Sequence, residues 1–158
     1  PQPLVLDADG INALAGHMDE WERRRGRVTV LTPHEGEFLR VGGNLSQGRT
    51  AAATEFAHQS GAVVVLKGPG TVVAGPDGRC RVNTTGNCGM AKGGSGDVLS
   101  GVVLALLGLG MDAFDACCCA VWLHGRAGDL AAQEKGQWGM TPTDLLERLP
   151  QALREVTE

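Results

Sequence analysis

The run Gly93-Gly94-Ser95-Gly96-Asp97 sets three glycines and a carboxylate directly before the apolar stretch 98–109. Glycines leave backbone N–H groups unshielded by Cβ atoms, so such a loop can wrap an anion closely. A helix starting there adds the positive end of its dipole, and phosphate is the natural guest. Asp97 falls in the first turn of that helix. A carboxylate beside an anion cradle suits phosphoryl transfer to a hydroxyl. The base takes the hydroxyl proton, and the N–H groups stabilise charge on the phosphoryl oxygens. The same residues also fit a plain helix start, with Asp97 as an acidic first-turn residue and the glycines as a turn. The segment carries neither G-x-x-x-x-G-K-[ST] nor G-x-G-x-x-G.

Other residues point to the same kind of chemistry. Lys67-Gly68-Pro69-Gly70-Thr71 follows the β-branched run 62–66. A strand-end turn with a lysine and exposed amides suits phosphate. His34, in Thr32-Pro33-His34-Glu35-Gly36-Glu37, follows another strand. It reads either as a surface or capping residue or as a substrate contact at a strand's carboxyl end, where open α/β sheets bind ligands. Asp7 and Asp9, two apart on an expected strand, share a face. They form a candidate pair for Mg²⁺ or for ordering the site, with Asn12 nearby. The plainer alternative is a strand-to-helix turn with Asp9 as cap. Asn83 and Asn87 flank the glycine loop and fix its turns, or, for Asn87, line a nucleotide site. His124 and Trp122 are expected to pack against the glycine-rich helix. Trp138 and Met140 fall in an expected loop that either borders a nucleotide base or plays no part.

These residues need elements to position them. Strands are expected over 3–9, 27–31, 62–66, 71–74 and 79–83. The near-continuous β-branched run 62–66 marks a strand buried on both faces. Helices are expected over 10–17, from about 34, over 46–59 with Ser46 as a possible N-cap, over 94–109, over 112–133, and from 141. Thr141 is the expected N-cap of the last helix, with Pro142 at its first position. Strands alternate with helices early and helices gather late, which is an α/β layered domain.

The 158 residues fit one domain, 1–158. Net charge is −4, which argues against nucleic-acid and membrane-surface partners. The five cysteines are odd in number, three of them adjacent, and show no CxxC spacing. They read as small buried side chains in a reducing, cytoplasmic compartment rather than as a disulfide framework. The longest apolar run, 98–110, is too short to span a bilayer.

Four blocks, "LVLDADGINALA", "LTPHEGEF", "VVLKGPGTVV" and "NTTGNCGMAKGGSGDVLSGVVLALLGLG", occur in this order. Together they resemble the ADP/ATP-dependent NAD(P)H-hydrate dehydratases, which are ribokinase-like enzymes. The resemblance implies a ribokinase-like layered fold, a central mostly parallel sheet flanked by helices. It implies repair of hydrated NADH or NADPH with ADP or ATP as co-substrate and Mg²⁺ as cofactor. Phosphorylating the added hydroxyl makes it a leaving group, and elimination restores the dihydropyridine.

In the same way it implies Asp97 as the residue that activates the hydroxyl, and so as a substrate contact. His34 is implied at the hydrate. Lys67, Gly68, Pro69, Gly70 and Thr71 are implied at the nucleotide, with Gly96; Gly94, Ser95 and Asn87 complete the expected nucleotide set, and no protein metal ligand is assigned. Family members carry a further segment ahead of "LVLDAD", including a glycine-rich part of the hydrate pocket. The chain is therefore expected to be a C-terminal portion of the domain, lacking its N-terminal part. A homo-oligomer is expected, and an NAD(P)HX epimerase as a fused or separate partner. Cys88 stands where proline is common in the family, and Lys92 where threonine is. Two rival readings share the phosphate cradle: another kinase of this fold acting on a hydroxyethylthiazole or small alcohol, and a non-catalytic nucleotide-binding module.

Overall fold

Five short strands form one sheet whose spatial order follows the chain: β1 (Leu4–Leu6), β2 (Thr29–Leu31), β3 (Val63–Leu66), β4 (Val72–Ala74) and β5 (Cys80–Val82). The computed structural model describes residues 2–158, apart from the side chains of Met18, Trp21 and Glu22. The strands β1, β2 and β3 run parallel, and β4 and β5 return antiparallel as hairpins. The expected mostly parallel α/β sheet is therefore present.

The alternation along β3 explains the two-sided core. Val64 and Leu66 face one layer, with Leu31, Phe38, Phe56 and Ala57. Val63 and Val65 face the other, with Val103, Leu107, Phe114 and Cys117. The first layer is built by α1 (Ala8–Asn12), α3 (Glu35–Arg40) and α4 (Arg49–Ser60); α2 (Met18–Arg23) lies against α4. The second is built by α5 (Ser95–Gly108) and α6 (Ala113–Gly139). The last helix, α7 (Pro142–Thr157), packs on α6 through Leu123, Ala127, Leu130, Leu145 and Ala152. Each large side chain buried this way contributes about 1.5–3 kcal/mol. No helix among the described residues is long and apolar enough to cross a membrane.

Local signals explain most boundaries. Thr141 caps α7 in a reciprocal capping box with Asp144, and Pro142 takes the first turn. Asp112 caps α6 by accepting from the N–H groups of Phe114 and Asp115. Three expectations are corrected. The first strand stops at Leu6, and Asp7 takes the N-cap position of α1, so Asp7 and Asp9 do not share a strand face. Ser46 does not cap α4. Its N–H donates to Asn44 Oδ1 at 3.0 Å, which holds a turn, and Gly48 opens the helix at φ 87°. The long helix α6 continues past residue 133 to Gly139, with a non-helical break at Gly136 (φ 71°).

Candidate active site

The carboxyl ends of β2 and β3 carry a cluster of charged side chains. His34 and Lys67 continue the sheet as a single parallel bridge, with the Lys67 N–H donating to the Pro33 carbonyl at 2.8 Å. Lys67 therefore stands at a fixed strand end. Its ammonium donates to Asp7 Oδ1 at 2.7 Å and lies 3.9 Å from Glu37 Oε2. Ser100, from α5, donates to the other Asp7 oxygen at 3.2 Å. Burial pushes the Asp7 carboxyl up, but the Lys67 hydrogen bond and charge, with Thr32 and the Ala8 N–H, hold it below the usual carboxylate value.

His34 opens α3 in a capping box. Its Nδ1 accepts from the Glu37 N–H at 3.2 Å, while Glu37 Oε2 accepts from the His34 N–H at 2.8 Å. The second imidazole nitrogen lies 3.3 Å from Glu37 Oε1. Glu37 is buried between His34 and Lys67, so one carboxylate orients both.

Opposite stands the first turn of α5. Gly94 takes the N-cap in the left-handed region at φ 97°, which favours glycine. A Cβ on Gly96 would lie 3.2 Å from Asp7 Oδ2 and 3.4 Å from Lys67 Nζ. The missing side chain thus lets the helix start close against the lysine. The Ser95 carbonyl accepts from His124 Nε2 at 2.8 Å, since a carbonyl cannot donate. Burial pushes the His124 pKa down, the Ser95 carbonyl works against this, and the Lys67 charge pushes it down further.

Between these elements lies a cavity of about 780 Å³, a volume within the range of small-molecule sites. His34, Lys67, Gly68, Pro69, Gly70, Thr71, Asn87, Ser95 and Gly96, all expected at the site, line it together. Its other wall is the loop 83–88 with Met90, Ala91 and Lys92. The long helix α6 holds that loop. Asn83 Nδ2 donates to the Val121 carbonyl at 3.2 Å, and Thr85 Oγ1 to the Trp122 carbonyl at 2.9 Å. Asp129 accepts from the Gly86 N–H and from Asn87 Nδ2, both at 2.9 Å. Asn87 Oδ1 in turn accepts from the Gly89 N–H at 3.0 Å, starting the short 3-10 turn Cys88–Met90.

Several expected residues sit elsewhere. Asp97 is exposed in the first turn of α5, beside Gly96 and outside the cavity lining. Gly94 is the helix cap rather than a lining residue, and a Cβ there would meet Pro142 at 3.2 Å. Asp9 is exposed, and Asn12 accepts from Arg40 away from the cavity. Trp138 is almost wholly exposed and Met140 is buried, so neither lines the cavity. Lys92 donates to the carbonyls of Gln137, Trp138 and Met140, which clamps the end of α6. Cys88 is exposed at the cavity edge, its thiol donating to Gln137 Oε1 at 2.8 Å.

Sequence reasoning missed Glu37, Arg49, Gly125 and Asp129. Arg49 reaches the turn 67–70 from α4. At Gly125 a Cβ would fall 2.2 Å from Thr85 Oγ1. The spacing Gly125-Arg126-Ala127-Gly128-Asp129 on a helix was the available signal for such a close approach.

The comparisons agree with this architecture. A family model described as NAD(P)H-hydrate dehydratase matches residues 1–151. The chain is 47% identical to a bifunctional NAD(P)H-hydrate repair enzyme of Thermofilum pendens, covering 99% of this chain and 30% of that protein. It is 41% identical to an ADP-dependent (S)-NAD(P)H-hydrate dehydratase of Bacillus subtilis, covering 94% of this chain and 53% of that protein. The crystal structure of a Bacillus subtilis ADP/ATP-dependent NAD(P)H-hydrate dehydratase, co-crystallised with ATP/Mg²⁺, superposes with a TM-score of 0.83 at 39% identity. That match covers 97% of this chain and 55% of the other. A ribokinase-like superfamily protein of Enterococcus faecalis matches at TM-score 0.80 and 27% identity, covering 98% of this chain and 53% of that one. The chain thus spans about half, or less, of the length of these relatives. The family model spans nearly the whole chain, and the chain belongs to the NAD(P)H-hydrate dehydratase family.

Proposed function

We propose that this chain carries the nucleotide half of an ADP- or ATP-dependent NAD(P)H-hydrate dehydratase. The observation that carries the reading is the meeting of Lys67, the turn 68–71 and the first turn of α5 around one cavity. An ammonium, strand-end amides and a helix N-terminus there converge on a space that suits a nucleotide's phosphates.

In this reading Asp97 takes the proton of the ring hydroxyl. Its exposure beside Gly96 leaves the carboxylate open to a hydroxyl arriving from solvent. The hydroxyl oxygen attacks the terminal phosphorus, a new P–O bond forms, and the bond to the bridging oxygen breaks, releasing AMP or ADP. The amides at 94–96 and Lys67 stabilise charge on the transferring group. Loss of phosphate from one ring carbon and a proton from its neighbour restores the dihydropyridine. His34, held by Glu37, borders the hydrate.

Among the described residues no group of three His, Cys, Asp or Glu side chains is placed to hold a metal ion. Mg²⁺ bound to the nucleotide phosphates, with water in its shell, would supply charge neutralisation. A homo-oligomer and an NAD(P)HX epimerase partner complete the proposal; relatives named as bifunctional repair enzymes support the second. A cytoplasmic setting agrees with the five free cysteines.

The test is incubation with hydrated NADH and ADP or ATP, following return of the dihydronicotinamide absorbance. Recovery supports the reading. Phosphorylation of a small alcohol without recovery would replace it with the kinase alternative.

A further inference from the structure

We infer that Arg49 is a positioning residue that shapes the nucleotide turn 67–71 into an amide cradle. The inference rests on the nucleotide reading of that turn and adds a residue outside the cavity lining.

Arg49 opens α4 and sends its guanidinium under the turn. Nη2 donates to the carbonyls of Leu66 at 2.9 Å and Lys67 at 3.0 Å. Nη1 donates to the carbonyls of Pro69 at 2.5 Å and Gly70 at 3.3 Å. Four carbonyls of five successive residues therefore face one cation. Glu35 adds an ion-pair contact, its Oε1 lying 3.1 Å from Nε without hydrogen-bond geometry.

Peptide planarity turns this into a statement about the other face. In a trans peptide the N–H points opposite to the C=O. Carbonyls of Lys67, Pro69 and Gly70 held toward Arg49 direct the N–H groups of Gly68, Gly70 and Thr71 away from it. The turn's residues line the cavity. Successive N–H groups facing one way make an anion-binding concavity. A guanidinium presents five donors in a fixed planar fork, enough to hold four carbonyls in one geometry, whereas a lysine ammonium has three.

Two glycines bear the mark of this arrangement. A Cβ on Gly68 would fall 2.6 Å from Arg49 Nη2. Gly70 has φ 64°, in the left-handed region. The first glycine leaves room for the guanidinium, and the second lets the chain turn over it.

The test uses ¹⁵N relaxation and ADP calorimetry on the chain and on R49A and R49K. Both variants are expected to lower the amide order parameters of Gly68, Gly70 and Thr71 from about 0.85 toward 0.6 or less. The rest of the sheet should stay unchanged, which separates a local effect from misfolding. Both variants should weaken ADP binding about tenfold or more. G68A, which puts a methyl against the guanidinium, should reproduce both changes. Unchanged order parameters in both Arg49 variants would overturn the inference. So would a disordered turn with unaltered ADP affinity, or full rescue by R49K. If the unaltered chain fails to bind ADP, the nucleotide reading fails. The relaxation data then decide alone whether Arg49 orders the turn.

Discussion

Lys67 Nζ and Asp7 Oδ1 stand 2.7 Å apart, joining the ends of β3 and β1 across 60 residues of sequence. The pair is mostly buried, so breaking it leaves a charge with a poorer partner. Asp7→Asn is expected to lower stability by about 1–3 kcal/mol near neutral pH. Its folded pKa lies below the unfolded value, so the ionic contribution is present above the unfolded value and fades as pH falls through the folded one. Urea unfolding of both proteins across acid pH reads this: the gap between them should close. A constant gap would assign the loss to packing.

Asp97→Asn separates chemistry from binding. Turnover in the repair assay should fall by about 10²–10⁴-fold, the usual range for a lost general base. ADP affinity measured by calorimetry should stay within about twofold, since Asp97 lies outside the cavity lining. Unimpaired turnover would remove Asp97 from the mechanism and leave it as a first-turn helix residue.

Gly125 is where α6 touches the loop that walls the cavity. A Cβ there would lie 2.2 Å from Thr85 Oγ1 and 2.7 Å from the Thr85 carbonyl carbon. Backbone cannot swing aside as a side-chain tip can. Gly125→Ala should cost about 1–3 kcal/mol, the usual scale of overpacking, and should weaken ADP binding. A thermal melt and an ADP titration of the same sample check both.

Asp129 holds the Gly86 N–H and the Asn87 amide with its two oxygens. Asp129→Ala leaves both donors without that partner and should loosen the loop. ADP affinity is expected to drop about tenfold, roughly the worth of one charge-assisted hydrogen bond. Asp129→Asn retains one acceptor and should lose less. Equal losses in the two variants would point to charge rather than to the hydrogen bonds.

His124 has a lowered pKa because it is buried. The unfolded chain therefore binds a proton more readily than the folded one. Stability should fall as pH drops below about 6.5 and level off below the folded value. His124→Gln keeps a donor for the Ser95 carbonyl and removes the titration. Melting curves at about pH 7.5 and about pH 5.5 should show the unaltered chain losing more than the variant.

The parts legible in the sequence were those with local causes. The β-branched run 62–66 announced β3, and Thr141-Pro142 announced the start of α7. Residues 67–71, Ser95 and Gly96 carry local chemistry, and they meet in one cavity. Failures came where a long-range contact decides. A strand-to-helix turn at Asp7–Asp9 was one of two local readings, but nothing local pointed to the pairing of Asp7 with Lys67. Lys92 looked like a solvent or phosphate group, but the end of α6 holds it through three carbonyls. Arg49 is an ordinary first-turn residue of a helix until the turn it holds folds over it. His124 read as packing, and only its reach to the Ser95 carbonyl brings it to the cradle.

The grip of α6 on the loop 83–88 has a thermodynamic corollary. One helix bears the hydrophobic contact with α7 on one flank and the cavity wall on another. Ligand occupancy and domain integrity are then two readings of a single equilibrium. ADP at a hundred times its Kd would add about 2.7 kcal/mol to the unfolding free energy. By reciprocity, a substitution that loosens the α6–α7 seam far from the cavity would lower the melting temperature first, and would weaken ADP binding only once an unfolded fraction is populated.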